Sequence, residues 1–279
     1  MSSSLKIPLR FGFHDFLNAQ PLLVPLQEIA IETGFKLVLG NPAATAQALE
    51  MGDLDLAMIP VVEYLKNAGN YKLLPGVSIA SKGSVDTVLL VAKKSLNKIK
   101  TVAIDNRSKT SVAAIKILFE TKFSRPVIYQ PQSPELEIML DKADAALIIG
   151  DNAHLAKQKF PDLKFYDIGE EWFIQTQKLF VHAAVAIRKG VELPRGFAQS
   201  VLQARKKGVA RIPQISKSKA EKYGWSEQEA LDYLSGKIIY DLGHAELEGL
   251  RQFRDLCYEK EITKEKVSIH ILGQEENPK

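Results

Sequence analysis

The residues with the clearest chemical potential sit where short buried strands give way to helices. The first such place is Phe16-Leu17-Asn18-Ala19-Gln20-Pro21-Leu22, which sets a polar amide in an apolar run. Pro8 to Phe13 read as a short strand, and Leu22, Leu26, Ile29 and Ala30 recur at helical spacing. Asn18 therefore falls at a strand's carboxyl end beside a helix N-terminus, where unpaired N–H groups and the helix dipole favour an anion. An Asn there also serves as a plain helix cap.

The second place is Asp105-Asn106-Arg107-Ser108-Lys109-Thr110-Ser111-Val112, which follows a strand at 101–104 and opens a helix with Val112, Ile115, Leu118 and Phe119 on one face. Ser108 can cap that helix, and the N–H groups of Lys109, Thr110 and Ser111 are left over by it. Two further hydroxyls and two cations exceed what a cap requires, so the pattern predicts a carboxylate or phosphate site. No Gly-rich phosphate loop or dinucleotide fingerprint accompanies it, which argues against nucleotides. A third place is Ile148-Ile149-Gly150-Asp151, a buried strand ending at a Gly-Asp turn, where Asp151 either faces a cleft or caps the next helix.

Other candidates carry less. Asp53 and Asp55 resemble a metal pair, but Asp before a strand is commonly a turn residue. Glu63 falls in a first helical turn, where its charge favours the dipole, although that turn lies on the ligand side of the preceding strand. His14, His154, His182, His244 and His270 show no close ligand spacing, so no metal is expected, and no cofactor motif is present. His14 and His182 are candidate acids or bases by position alone, and a lone His is more often packed or at the surface. No Gly-x-Ser-x-Gly elbow exists.

The chain supplies ordinary globular material to position these groups, with 279 residues, 46% apolar and 25% charged. That is enough for two modest lobes or one large domain. Met1 to Lys6 are polar and lack the apolar centre of a secretory signal, and no apolar run approaches the roughly 20 residues of a membrane span. The one cysteine, Cys257, shares a helical face with Leu247, Leu250 and Phe253 and reads as a buried structural thiol. These features predict a cytoplasmic protein without membrane partners. The net charge of +4 is concentrated between Arg188 and Lys222. Without aromatic interleaving or a recognition helix that stretch reads as a solvated helical face and not as a nucleic-acid surface.

Strands are predicted near 8–13, 35–39, 55–60, 86–92, 101–104, 126–130, 144–149 and 181–187. Helices alternate with them near 20–33, 43–51, 61–67, 110–122, 134–142 and 151–158, and then dominate near 195–211, 214–223, 227–236 and 244–258. This is the pattern of βαβ units around largely parallel sheets. Thr87 to Ala92 and Val181 to Ile187 each lead into a polar break and look like crossovers. The expected fold is a two-lobed α/β clamshell, with residues 1–92 and 188–279 in one lobe and 93–187 in the other, and a ligand between them.

Several segments, in order along the chain, resemble one family: chorismate dehydratase (MqnA) of the futalosine route to menaquinone. The family's opening Tyr-Leu-Asn-(Thr/Ala)-x-Pro-Leu is matched by Phe16 to Leu22, and its Gly-x-x-Asp-(Val/Ile)-Ala-x-Ile-Pro-x-x-Glu-Tyr by Gly52 to Tyr64. Gly83 to Val88, Ser108 to Val112, Ile149 to Ala153, Asp167 to Trp172 and Tyr233 to Gly249 continue the likeness. The chain departs from the family at Val61, Thr87 and Lys109, and at Gln177-Lys178-Leu179, where members usually carry Gly-Leu-Pro.

The resemblance implies a fold like type II periplasmic binding proteins, with mixed sheets flanked by helices, and the conversion of chorismate to 3-[(1-carboxyvinyl)oxy]benzoate with loss of water. It implies Asn18 as the catalytic residue, orienting the leaving hydroxyl or a carboxylate. Ser84, Thr87, Ser108, Lys109, Thr110, Ser111, Gly150 and Asp151 are implied as substrate contacts. No matched segment presents an obvious His or Lys base, so the substrate's own enolpyruvyl carboxylate is the expected proton acceptor. The competing readings are a non-catalytic small-anion binding protein of the same fold and the related dihydroxynaphthoate synthase.

Overall fold

The computed structural model describes residues 8–105, 109–123 and 127–274. Ser108 therefore lies outside the described residues, as do Asn106 and Arg107. The chain folds into two mixed sheets flanked by helices.

The first sheet has the order β11-β4-β10-β3-β1-β2. Its strands are β1 (Arg10–Phe13), β2 (Lys36–Leu39), β3 (Leu56–Pro60), β4 (Tyr71–Ser81), β10 (Phe180–Arg188) and β11 (Ile238–Ile239). β1 runs parallel to β2 and β3, while β10 lies antiparallel between β3 and β4. The second sheet has the order β7-β6-β8-β5-β9. It comprises β5 (Val88–Ala92), β6 (Thr101–Asp105), β7 (Ile128–Gln132), β8 (Ala145–Ile149) and β9 (Lys164–Asp167). Here β6 is parallel to β7 and β8, and β5 is antiparallel to β8 and β9.

The helices attached to the first sheet are α1 (Gln20–Thr33), α2 (Pro42–Met51) and α3 (Val61–Lys66). Those of the second are α4 (Lys109–Phe123), α5 (Leu136–Lys142), α6 (Asp151–Lys159) and α7 (Ile168–Thr176). The chain then closes with α8 (Phe197–Ala210), α9 (Ile212–Lys219), α10 (Glu227–Gly236) and α11 (His244–Glu259). Local chemistry sets many of these boundaries. Asn41 Oδ1 accepts the Ala44 N–H, Pro42 occupies the first turn, and Gly52 ends α2 at φ 82°. Ser226 and Glu229 form a reciprocal capping box at α10.

The strands β4, β9 and β11 and the helix α7 are additions to the sequence reading. β4 carries Pro75 and Gly76 in its middle, which reads as a turn, yet the strand is held by β10 on one side and β11 on the other. Antiparallel pairing of β5 and β10 with their neighbours makes the sheets mixed, as the family resemblance implied, where the alternation of strands and helices alone pointed to largely parallel ones. β5 already belongs to the second sheet and β10 to the first, so the chain crosses between sheets before each of these strands. Each crossing contains a non-glycine residue in the left-handed region, Asp86 at φ 59° and Gln177 at φ 55°. At Gln177 the side-chain amide donates to the carbonyls of Phe173 and Ile174, which closes α7 without a glycine.

One continuous core joins the first sheet to one face of the second, through α4 and α7. A smaller cluster around Leu89, Val91 and Met139 fills the opposite face of the second sheet. Phe197, Val201, Ala204 and Gly208 form the buried face of α8 as their spacing predicts. That face packs on α1 so closely that a Cβ on Gly208 would lie 1.6 Å from the Pro21 carbonyl oxygen. Cys257 is fully buried, and burial pushes its thiol up to about 12. Among the described residues no helix is long and apolar enough to cross a membrane.

Candidate functional site

The carboxyl ends of β1, β3 and β8 and the N-terminus of α4 meet around one cavity of about 90 Å³, partly open to solvent. The first sheet contributes His14, Phe16, Asn18, Pro60 and His182, and the second contributes Thr87, Lys109, Thr110, Ser111, Ile149 and Gly150. The walls are mostly apolar, so the few polar groups act without competition from bulk water.

Asn18 sits in a short 3-10 turn, Leu17–Ala19, between β1 and α1. Its side chain makes no capping bond, and its Oδ1 is buried without a hydrogen-bond partner. Of the two roles its position allows, the capping one is thus unused.

Thr110 and Ser111 are buried in the first turn of α4, and Lys109 beside them is exposed. The three line the cavity together, so a helix N-terminus, two hydroxyls and an ammonium converge on one point. Thr110 Oγ1 also accepts the Val62 N–H of α3 at 3.3 Å, which links the starts of two helices belonging to different sheets. Its own hydroxyl proton remains free to donate.

Gly150 lines the cavity at φ 67° and ψ −151°, a conformation that is essentially glycine-only. Its N–H donates to the Thr87 carbonyl, and Thr87 Oγ1 lies 2.8 Å from the Tyr233 hydroxyl. Two predicted contacts lie outside the lining. Ser84 Oγ donates to Asp167 Oδ2 at 3.1 Å, and so braces the first crossing together with the Val85 and Asp86 N–H groups. Asp151 accepts from Trp225 Nε1 at 3.1 Å, and burial raises its carboxyl to about 6.

The two histidines that spacing alone could not promote both face the cavity. His14 is stacked on Phe13, 4% exposed, with Nδ1 unpartnered, and His182 Nε2 lies 2.9 Å from Ser81 Oγ. Burial lowers both imidazoles to about 4, so they are neutral near pH 7. Their signal in the sequence was position: His14 directly follows β1, and His182 stands beside the β10 residue paired with Pro60.

Other candidates have structural duties. Asp55 takes a bidentate hydrogen bond from Arg10 and a further one from Arg188. Glu63 pairs with Lys66 at 3.0 Å. Within the basic stretch, Lys207 and Arg211 both bind Glu28, and Arg205 binds Asp241.

Comparison with known proteins places this geometry. A family described as menaquinone biosynthesis matches residues 9–259. The chorismate dehydratase of Thermus thermophilus is 28% identical over 248 residues, covering 84% of this chain and 90% of that protein. A crystal structure of an Archaeoglobus fulgidus protein aligns with a TM-score of 0.67 at 16% identity, over 91% of this chain and 98% of that one. The alkanesulfonate-binding protein SsuA of Xanthomonas axonopodis, bound to MOPS, also gives 0.67 at 16% identity, over 93% and 95%. The fold is therefore that of the periplasmic binding proteins, and the chain belongs to the menaquinone biosynthesis family as a divergent member.

Proposed function

We propose that this protein is a chorismate dehydratase, a carbon–oxygen lyase that forms 3-[(1-carboxyvinyl)oxy]benzoate in menaquinone biosynthesis. The observation that carries the reading is one cavity uniting Asn18 from the first sheet with Lys109, Thr110 and Ser111 from the second, in a chain related over most of its length to a chorismate dehydratase. The two sheets act as lobes, residues 1–92 with 188–279 against 93–187, except that the strands at 88–92 and 180–187 are counted with the sheets that they join. The substrate lies between the lobes, and the protein acts in the cytoplasm.

The start of α4 holds one substrate carboxylate through the hydroxyls of Thr110 and Ser111 and the ammonium of Lys109. Asn18 orients the C4 hydroxyl. The proton on C3 passes to the substrate's own enolpyruvyl carboxylate, its electron pair forms the C3–C4 double bond, and the C4–O bond breaks. The departing hydroxide takes up the proton from the enolpyruvyl carboxyl group and leaves as water, which restores that carboxylate, and the ring becomes aromatic. His14 and His182 are neutral at working pH and offer no charge to bind; they contribute ring surface and hydrogen-bonding nitrogens to a dry site.

Purified protein incubated with chorismate should yield a product lighter by one water in mass spectrometry. Unchanged chorismate that nevertheless raises the melting temperature would instead favour a non-catalytic anion-binding protein. Unchanged chorismate and unchanged melting would remove it as the ligand.

A further inference from the structure

His182 lines the cavity, yet the reaction above gives it no partner on the ligand. It owes its place to an irregularity in β10. Val181 pairs with Ala80 of β4 and Ala183 with Ile79, so His182 is the extra residue of a bulge. Bulges re-aim a side chain and recur beside binding sites. The ring is then fixed twice. Phe180 meets it in a T-shaped contact, with centroids 4.8 Å apart and planes at 87°, and Nε2 lies 2.9 Å from Ser81 Oγ. Ser81 is 1% exposed and does not line the cavity, so Nε2 is committed to the protein interior. Nδ1 has no partner among the described residues, and His182 as a whole is only partly buried.

The imidazole is neutral near pH 7, so one nitrogen carries a hydrogen and the other a lone pair. Ser81 decides which. Its buried hydroxyl has no other acceptor among the described residues, and a buried donor left unpaired is costly. Ser81 therefore donates to Nε2, and the ring hydrogen sits on Nδ1.

We propose that Ser81 holds His182 as the Nδ1–H tautomer, and that this neutral N–H donates to the enolpyruvyl carboxylate of the ligand. The inference rests on the chorismate reading and deepens it, since the start of α4 accounts for only one of the two carboxylates. Charge tells which goes where. An ammonium beside a carboxylate lowers its basicity, which suits the ring carboxylate, because that group stays ionised throughout. The enolpyruvyl carboxylate has to accept the C3 proton, and a neutral donor orients it with less loss of basicity. Nδ1 keeps its hydrogen throughout. His182 belongs to the first sheet and α4 to the second, so the two carboxylates are held from opposite lobes.

The tautomer is read in wild-type protein by proton–nitrogen NMR of the imidazole rings, with His182 assigned by its loss in His182→Gln. The hydrogen should sit on Nδ1, and Ser81→Ala should release a share of it to Nε2. A hydrogen on Nε2 in the wild type overturns the proposal, whatever the variants do. Binding is read with 3-[(1-carboxyvinyl)oxy]benzoate and with 3-hydroxybenzoate, which lacks the carboxyvinyl group. His182→Phe keeps a ring but no nitrogen, and should weaken the first ligand about tenfold or more and the second less than about twofold. His182→Asn places a neutral N–H close to where Nδ1 stood and should recover most of that loss. Equal losses for the two ligands in His182→Phe, or wild-type affinity for both, overturn the proposal. If wild-type protein binds chorismate without converting it, the enzyme reading fails and these affinities still decide the role of His182. A wild type that binds neither chorismate nor either benzoate overturns both.

Discussion

The hydroxyl of Thr110 at the start of α4 accepts the backbone N–H of Val62 at the start of α3. It therefore serves the seam between the two sheets as well as the cavity that it lines. Ser111, one position on, has no such structural bond among those described. The two hydroxyls should separate on mutation. Ser111→Ala should weaken ligand binding with little change in stability. Thr110→Ala should also leave the Val62 N–H without its buried partner, at about 1–3 kcal/mol, whereas Thr110→Ser should restore most of it. Changing both residues to Ala should weaken binding strongly, each lost bond to a charged group being worth roughly 1.5–3 kcal/mol. Denaturant melts with and without chorismate check the set, and wild-type affinity in a folded double variant would move the carboxylate site elsewhere.

Asn18→Asp replaces the amide by a carboxylate of the same shape beside a dianionic ligand. Turnover should fall by at least two orders of magnitude through charge repulsion in a poorly solvated site. Asn18→Ala should also lose turnover but bind the ligand better than the Asp variant, since no charge is added. A helix-capping Asn would behave differently, because Asp caps equally well. Steady-state kinetics that show an active, stable Asp variant would remove Asn18 from the chemistry.

Acidification should destabilise the protein between about pH 6.5 and 4. His14 and His182 are held at about 4 in the folded state, below their ordinary 6.5, by burial. Their contribution is fully present above 6.5 and is lost as pH falls through 4, about 3 kcal/mol for each group. Asp151 opposes them. Its folded value of about 6 lies above 3.8, so its contribution is present at low pH and lost as pH rises through 6. Two imidazoles outweigh one carboxyl, so stability should decline on the acid side. His182→Gln should reduce the proton uptake on unfolding in this window by about one, as measured by melts at a series of pH values.

Gly208→Ala should destabilise the fold by more than 1–3 kcal/mol, because its Cβ would meet the Pro21 carbonyl, which is backbone and cannot swing away. α1 begins beside Asn18, so residual activity should fall as well. Gly236 has open space around it, and Gly236→Ala should be neutral or stabilising by up to about 1 kcal/mol. Equal melting temperatures for the two variants would contradict the close contact of α1 and α8.

The sequence by itself determined the elements whose signals are local. The 4-3-4 spacing of Phe197, Val201, Ala204 and Gly208, the glycine ends of α1 and α2, and the hydroxyl-rich start of α4 all depend on neighbours within a few turns. The order of motifs likewise pointed to Asn18, Thr87, Lys109, Thr110, Ser111 and Gly150, which line one cavity. Strand β4 escaped because Pro75 and Gly76 suit a turn in isolation; they form a local irregularity, with Gly76 at φ 73°, in a strand that β10 pairs on either side of it. The direction of β5 and β10 escaped too, since pairing is not written in either strand. Tertiary structure alone decided that Ser84 and Asp151 brace the crossing and the α6 contact outside the cavity lining, and that His14 and His182 line the cavity as neutral rings. It also brought Tyr233 to Thr87 from 146 positions away along the chain. Burial, orphaned atoms and such distant pairings arise from the sum of all contacts, and no window of sequence contains that sum.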